Sequence, residues 1–306
     1  MTVVGILGAN GFIGRHLARE LVRTGYDVVC FARQFPIDFQ EEFQKRARLQ
    51  FIELSDTLNA YTKIKGIDHI VQLINTTNPS LGNSMVVADI KENVVPQVSF
   101  IQSCIEAGVK SFTFLSSGGT VYGVPLTVPI DEDHPCRPLN SYGMTKLVTE
   151  QYLHMLCTAS AMRFNILRVA NPFGPGQLGI GGQGLIATVL QKHAKGEPLT
   201  IFGDGSSQRD YIYIEDTIGA IVSAVEVGGT NSVINIGSGE GRSILDVIST
   251  IESCISVPIE RVHVRSRSTD TSINILDVKK AKQLLGWQPQ VTFREGISKT
   301  VAQFSL

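Results

Sequence analysis

Val3-Val4-Gly5-Ile6-Leu7-Gly8-Ala9-Asn10-Gly11-Phe12-Ile13-Gly14 lies at the head of the chain, and its reading decides the fold. Residues 2–8 are apolar and rich in β-branched side chains, as a buried strand requires. A helical stripe follows from Arg15 to Arg23, with Leu17, Leu21 and Val22 on its core side. Strand, glycine turn and helix in that order make a cradle for a dinucleotide, whose pyrophosphate sits on the helix N-terminus. Gly8, Asn10, Gly11, Phe12, Ile13 and Gly14 are therefore expected at the cofactor. The glycine spacing alone carries little weight in a chain with 29 glycines, and a simple tight turn is the competing reading.

Working outward, Val28-Val29-Cys30-Phe31-Ala32 is a second strand after the helix stop at Gly25. An NAD-binding fold usually places an acid at this strand's tip, where Ala32-Arg33 stands instead. Arg33 without a nearby carboxylate suits a 2′-phosphate, hence NADP, although a plain solvated arginine reads equally well. Phe51-Ile52-Glu53-Leu54 reads as a third strand, with Asp56 just beyond as an adenine contact. A fourth strand covers His69–Ile74, a helix carrying Asn93 runs from Val86 to Ala107, and Val109–Leu115 is the fifth strand. Strands separated by crossovers predict a Rossmann-type, doubly wound parallel α/β sheet with ligands at the strands' carboxyl ends.

That fifth strand delivers Ser116-Ser117-Gly118-Gly119-Thr120-Val121-Tyr122-Gly123, and Tyr142-Gly143-Met144-Thr145-Lys146 follows a proline-rich connection. A tyrosine four residues before a lysine on a helix shares one face with it, where the ammonium lowers the phenol's proton affinity. Tyr61 and Lys65 have the same spacing, but they belong to an early crossover, away from the strand that delivers Ser117 and Thr120. Tyr142 and Lys146 are thus the expected proton-transfer pair. Helix 142–158 carries Met144, Leu147, Val148, Tyr152, Met155 and Leu156, more apolar surface than a one-sided helix needs. Pairing of this helix and the 86–107 helix with a second copy of the chain is the expectation.

Composition bounds the partners. Lys+Arg of 27 against Asp+Glu of 28 gives a net charge of −1, without a basic tract for nucleic acid. No apolar run is long enough for a membrane span, and neither a span nor a signal peptide is expected. Five scattered cysteines without a CxxC argue against a disulfide framework and for a reducing cytoplasm. The six histidines do not cluster, so no structural metal is expected.

Phe164–Val169 reads as a sixth strand and ends in Ala170-Asn171-Pro172-Phe173-Gly174-Pro175-Gly176. Beyond it come a glycine-rich loop at 177–184 and a mixture of short helices and strands. The expected division is a dinucleotide-binding domain of residues 1–169 plus about 211–237, and a smaller mixed α/β substrate domain of 170–210 plus about 238–306.

With the glycines 8, 11 and 14, Tyr142/Lys146, Asn171-Pro172-Phe173-Gly174-Pro175-Gly176 and Gly203-Asp204-Gly205-Ser206-Ser207-Gln208-Arg209-Asp210-Tyr211-Ile212-Tyr213 in one order, the chain resembles the extended short-chain dehydrogenase/reductase family. Within it, the resemblance is to nucleotide-sugar epimerases of the UDP-glucose 4-epimerase type, over nearly the whole length. This implies a Rossmann domain for NAD or NADP and a domain for a nucleoside-diphosphate sugar. It also implies Tyr142 as base, Lys146 as its partner on the nicotinamide ribose, and Asn171 and Arg209 at the diphosphate. Arg267 and Asp270 would grip the phosphate and uridine ribose. The family's active-site serine or threonine falls on Gly118, leaving Ser117 or Thr120 to supply the hydroxyl. The Asp-Glu pair of the dehydratase branch falls on Gly119 and Thr120, against a 4,6-dehydratase. A 4-epimerase is the expected activity; an NADPH-dependent 4-keto-sugar reductase is the rival, and a non-catalytic NAD(P) sensor a third reading.

Overall fold

The computed structural model of the chain describes residues 1–77, 82–179, 184–265 and 271–304. β1 (Val3–Leu7) turns at Gly8, whose φ of +82° suits glycine, and α1 (Phe12–Arg23) starts directly afterwards. β2 (Asp27–Ala32), α2 (Ile37–Phe43), β3 (Arg48–Phe51), α3 (Thr57–Ile64) and β4 (His69–Gln72) continue the alternation. After β4 come α4 (Val86–Asp89), α5 (Val95–Glu106), β5 (Ser111–Ser117), α6 (Ser141–Thr158) and β6 (Arg163–Val169). The remainder holds β7 (Asn171–Phe173), α7 (Leu185–Ala194), β8 (Leu199–Phe202), β9 (Gln208–Tyr213), α8 (Ile214–Val227) and β10 (Ser232–Ile236). β11 (Gly241–Ser243), α9 (Ile244–Ile255), β12 (Arg261–Val264), β13 (Ile273–Asn274), α10 (Lys279–Leu285) and α11 (Phe293–Gln303) complete it.

The large sheet has the order β3-β2-β1-β4-β5-β6-β10 with every pairing parallel. This is the Rossmann-type doubly wound sheet that the alternation predicts, with β10 added at one edge. Successive strand residues point to opposite faces, so each face has its own core. Leu17 and Leu21 of α1 and Ile218 and Ile221 of α8 pack on one face. Ile64 of α3, Phe100 of α5 and Leu153 of α6 pack on the other. The strand order reverses between β1 and β4, which opens a crevice at their carboxyl ends. A smaller mixed sheet, β11-β9-β13 with β7 also on β9, closes over that crevice, and β12 pairs with β8.

Three local expectations are corrected. The helix read as Val86 to Ala107 is broken: a π-helical turn, Ile90–Val94, separates α4 from α5. Pro96 in the first turn of α5 has no N–H to continue an α ladder, so the register resets there. The third strand lies earlier than Phe51–Leu54; β3 ends at Phe51, and Ile52 and Leu54 are buried as loop residues beyond it. Lys65 has left α3, with ψ of 127°, so Tyr61 and Lys65 do not share a helix face.

Candidate active site

The crevice is a cleft of about 1150 Å³, above the roughly 300–1,000 Å³ usual for one small ligand. Its floor is the turn between β1 and α1. A Cβ on Gly14 would stand 2.2 Å from the Gly8 carbonyl and 2.7 Å from Ala9 Cα, so α1 approaches the strand only because residue 14 is glycine. Gly11 is the N-cap of α1 and has no side-chain cap, which leaves the helix's first N–H groups for an anion. Asn10 ties this turn to the end of β2 by donating from Nδ2 to the Gln34 carbonyl across 2.9 Å.

The far wall is built by β5 and α6. Ser117 is the last residue of β5 and lines the cleft with Gly119, Thr120 and Tyr142. α6 reaches them because Gly143 lets its first turn touch the Thr120 backbone; a Cβ there would lie 2.9 Å from the Thr120 carbonyl. Asn140 caps the helix, its side chain accepting from Gly143 N at 2.8 Å. Burial pushes the Tyr142 phenol up to about 12, while the hydroxyl of Ser117, its hydrogen-bonding neighbour, acts in the opposite direction. Lys146 is buried one turn on and donates to the Leu115 carbonyl at 2.8 Å; its Nζ stands 5.8 Å from the Tyr142 ring centre. Burial lowers it to about 8, against Glu150 and Asp89, which favour the ammonium. The phenol is therefore not lowered in the way the helix spacing alone suggests: the ammonium is turned to a backbone carbonyl.

The roof comes from the smaller sheet. Asn171 opens β7 and donates from Nδ2 to the Asp210 carbonyl at 2.7 Å, and Arg209 on β9 donates to the Gln208 carbonyl at 2.8 Å. Both line the cleft. Three buried acceptor atoms of cleft residues, Thr120 Oγ1, Asn75 Oδ1 and Gln177 Oε1, have no hydrogen-bond partner among the described residues. A polar ligand satisfies such atoms. The glycine cradle, the open helix N-terminus and these atoms together fit a dinucleotide.

Other expected residues fall outside the cleft lining, Lys146 among them. Arg33 is exposed just after β2, and Asp56 is exposed as the N-cap of α3, accepting from Asn59 N at 3.1 Å. Asn93 is buried behind the wall, where it accepts from Thr76 N at 2.8 Å and donates to Asp89 Oδ1 at 2.9 Å. Gly118 faces the other way: a Cβ on it would meet Leu276 Cδ1 at 2.6 Å and the Arg168 carbonyl at 3.0 Å. Arg267 and Asp270 lie outside the described residues. Conversely, Asn75, Thr77, His16 and Gln177 line the cleft although sequence reasoning passed over them. Asn75 and Thr77 had a usable signal, since they directly follow the carboxyl end of a central strand.

The model of the NAD-dependent epimerase/dehydratase family matches residues 4–237. A UDP-glucose 4-epimerase of Mycolicibacterium smegmatis is 32% identical over 308 residues, covering 98% of this chain and 97% of that protein. A dTDP-4-dehydro-6-deoxyglucose reductase of Escherichia coli is 34% identical over 302 residues, covering 97% and 95%. The crystal structure of a UDP-glucose 4-epimerase from Thermotoga maritima, solved with UDP-glucose, superimposes with a TM-score of 0.93 at 30% identity and 99% coverage of both chains.

Proposed function

The chain belongs to the NAD-dependent epimerase/dehydratase family, among the extended short-chain dehydrogenases/reductases, and from its site we infer a nucleotide-sugar 4-epimerase that works through a transient 4-keto sugar. The observation that carries this reading is that Ser117, Tyr142, Asn171 and Arg209 all line the one cleft whose floor is the glycine turn. The substrate class is a UDP-hexose or UDP-N-acetylhexosamine.

The Gly8–Gly14 turn and the α1 N-terminus hold the pyrophosphate of NAD(P); Lys146, which lies outside the cleft lining, would reach the nicotinamide ribose only by giving up its bond to the Leu115 carbonyl. The dinucleotide, when bound, supplies the reversible hydride acceptance that turns a C4 alcohol into a ketone and back. For this step Tyr142 must first release its own proton to solvent; the phenolate then takes the C4 hydroxyl proton as the ketone forms and returns it when the alcohol is remade. Ser117 orients that hydroxyl, in place of the side chain absent at Gly118. Arg209, with its planar donor fork, and Asn171 hold the diphosphate, and Arg267 and Asp270 extend that grip. Anchoring the nucleotide leaves the sugar free to turn its other face.

Two further assignments support the same reading. The large sheet and its helices form the dinucleotide domain, and the glycine-rich loop with the smaller sheet forms the sugar-nucleotide domain, with β9 (residues 208–213) belonging to the latter. The molecule works as a homodimer, and its five free thiols suit the cytoplasm. Among the described residues, no helix is long and apolar enough to cross a membrane.

Purified protein incubated with UDP-glucose or UDP-N-acetylglucosamine, without added cofactor, is expected to form the 4-epimer. Tyr142→Phe should lower turnover by about a hundredfold or more while sparing UDP binding; unchanged turnover removes Tyr142 from the mechanism. The alternative is an NADPH-dependent 4-keto-sugar reductase, favoured by the 34% identity to the Escherichia coli reductase and by Arg33 at the tip of β2. Consumption of stoichiometric NADPH with a keto substrate, and no epimerisation, decides for it.

A further inference from the structure

A short strap, residues 271–277, crosses the site without a role in the chemistry above. It fastens to the strand that carries Arg209. Within it, β13 lies parallel to β9 with Asn274 in register with Arg209, and Gln208 N donates to the Ser272 carbonyl at 2.8 Å. Leu276 N donates to Asp210 Oδ2 at 3.3 Å, and the Asp210 carbonyl is the group that receives Asn171. Its far end is fixed on a loop: Ile130 N donates to the Ile275 carbonyl and Asp277 N to the Ile130 carbonyl, each at 2.8 Å.

The same strap reaches the opposite wall. Asn274 Nδ2 donates to the Gly118 carbonyl at 3.1 Å, while Gly118 N donates to the Val169 carbonyl at 2.9 Å. Leu276, fully buried, fills the space that a side chain at position 118 would need. Gly118 is thereby pinned at its amide, its carbonyl and its missing side chain, and this fixes the orientation of the adjoining Ser117. Asn274 is fully buried, yet its Oδ1 has no partner among the described residues. The bond that Nδ2 makes to Gly118 is offset by the unmet acceptor at Oδ1, so the net gain in folding energy from this side chain is small.

We propose that Asn274 is a positioning residue, which holds the Ser117–Gly118 turn in register with the strand bearing Arg209, so that the sugar end and the diphosphate end of the cleft act as one rigid unit. This rests on the epimerase reading of the site. Occupation of the diphosphate end by UDP should steady the turn that presents Ser117.

The experiment compares the wild-type chain with Asn274→Ala and with Asn274→Asp, which keeps the shape but loses the donor. UDP affinity is measured by calorimetry, kcat on a UDP-sugar, and amide hydrogen exchange at residues 117–120 with and without UDP. In both variants kcat should fall by about tenfold or more with UDP affinity within about twofold. In the wild type UDP should slow exchange at 117–120, and in the variants it should not. The wild-type arm requires no variant to fold: unchanged exchange on adding UDP overturns the proposal. So does retained kcat, a defect in the Ala variant that the Asp variant lacks, or UDP affinity falling in step with kcat. If the wild type binds UDP but epimerises no UDP-sugar, the functional reading fails, while the exchange data still judge Asn274.

Discussion

Around Tyr142 and Lys146 the balance of charge depends on two buried carboxylates. Glu150 accepts from Arg168 Nη2 at 2.7 Å and from the Ser116 hydroxyl, so its charge is met. Asp89, fully buried, accepts from Thr77 Oγ1 at 2.8 Å and from Asn93 on one oxygen, and its Oδ2 has no partner among the described residues. Its negative charge favours the ammonium of Lys146 and the neutral phenol of Tyr142. Removing that charge in Asp89→Asn lowers the proton affinity of both groups. Tyr142 then gives up its proton at lower pH, and Lys146 loses its ammonium below the value of about 8 it now has. The limb of the kcat/KM profile set by Lys146 is therefore expected to move towards acid, measured as initial rates from pH 5 to 10. A limb that stays put, or that moves towards alkali, contradicts this assignment.

At the scale of an element, β4 shows a polar group buried for pairing rather than catalysis. His69 is in register with Ser111 on β5, hydrogen-bonded to the Ser111 hydroxyl and, through Nε2, to Thr113 Oγ1 at 2.9 Å. Burial takes it down to about 3 from the usual 6.5, so the folded chain keeps it neutral. Between those values the unfolded chain binds more protons, so stability is lost as pH falls, at up to about 1.4 kcal/mol per pH unit. Urea midpoints from pH 7 to pH 4 should show this slope in the wild type and a shallower one in His69→Gln; equal slopes reject the role. Nothing in His69-Ile70-Val71-Gln72 announces such pairing, because a histidine's partners lie across the sheet. Legibility follows the same rule elsewhere. β1, its glycine turn and α1 are readable because each signal is local and repeats with the element's own period. β3 is an edge strand whose buried neighbours, Ile52 and Leu54, lie beyond its end, so the apolar pattern points to the wrong residues. Gly118 could be flagged as lacking a hydroxyl, but that Leu276 occupies its side-chain space is a contact between distant parts of the chain.

At the scale of the whole molecule, the α4–α6 side presents an apolar face that the described residues do not cover. Val86, Val87 and Ile90 of the α4 region, Val95 at the start of α5, and Met144 and Met155 of α6 are all exposed, Val87 at 66% and Met155 at 55%. Isolated exposed apolar residues are ordinary; several on two helices packed against each other mark an association surface. A second copy meeting the first there pairs like with like about a twofold axis, the commonest arrangement for a soluble oligomer. That interface would form on the back of the helix whose first two turns carry Tyr142 and Lys146, and against the segment that carries Asp89. Association should therefore steady the catalytic pair as well as bury area. Sedimentation at micromolar concentration is expected to give a dimer. Val87→Glu and Met155→Glu, each tolerated by an exposed position, should weaken association by about a hundredfold or more by placing unpaired charge in an apolar contact. A monomeric wild type, or charged variants that remain fully dimeric, removes this face as the interface. If the variants become monomers with an unchanged fold and also lose kcat, the dimer supports the chemistry as well as the packing.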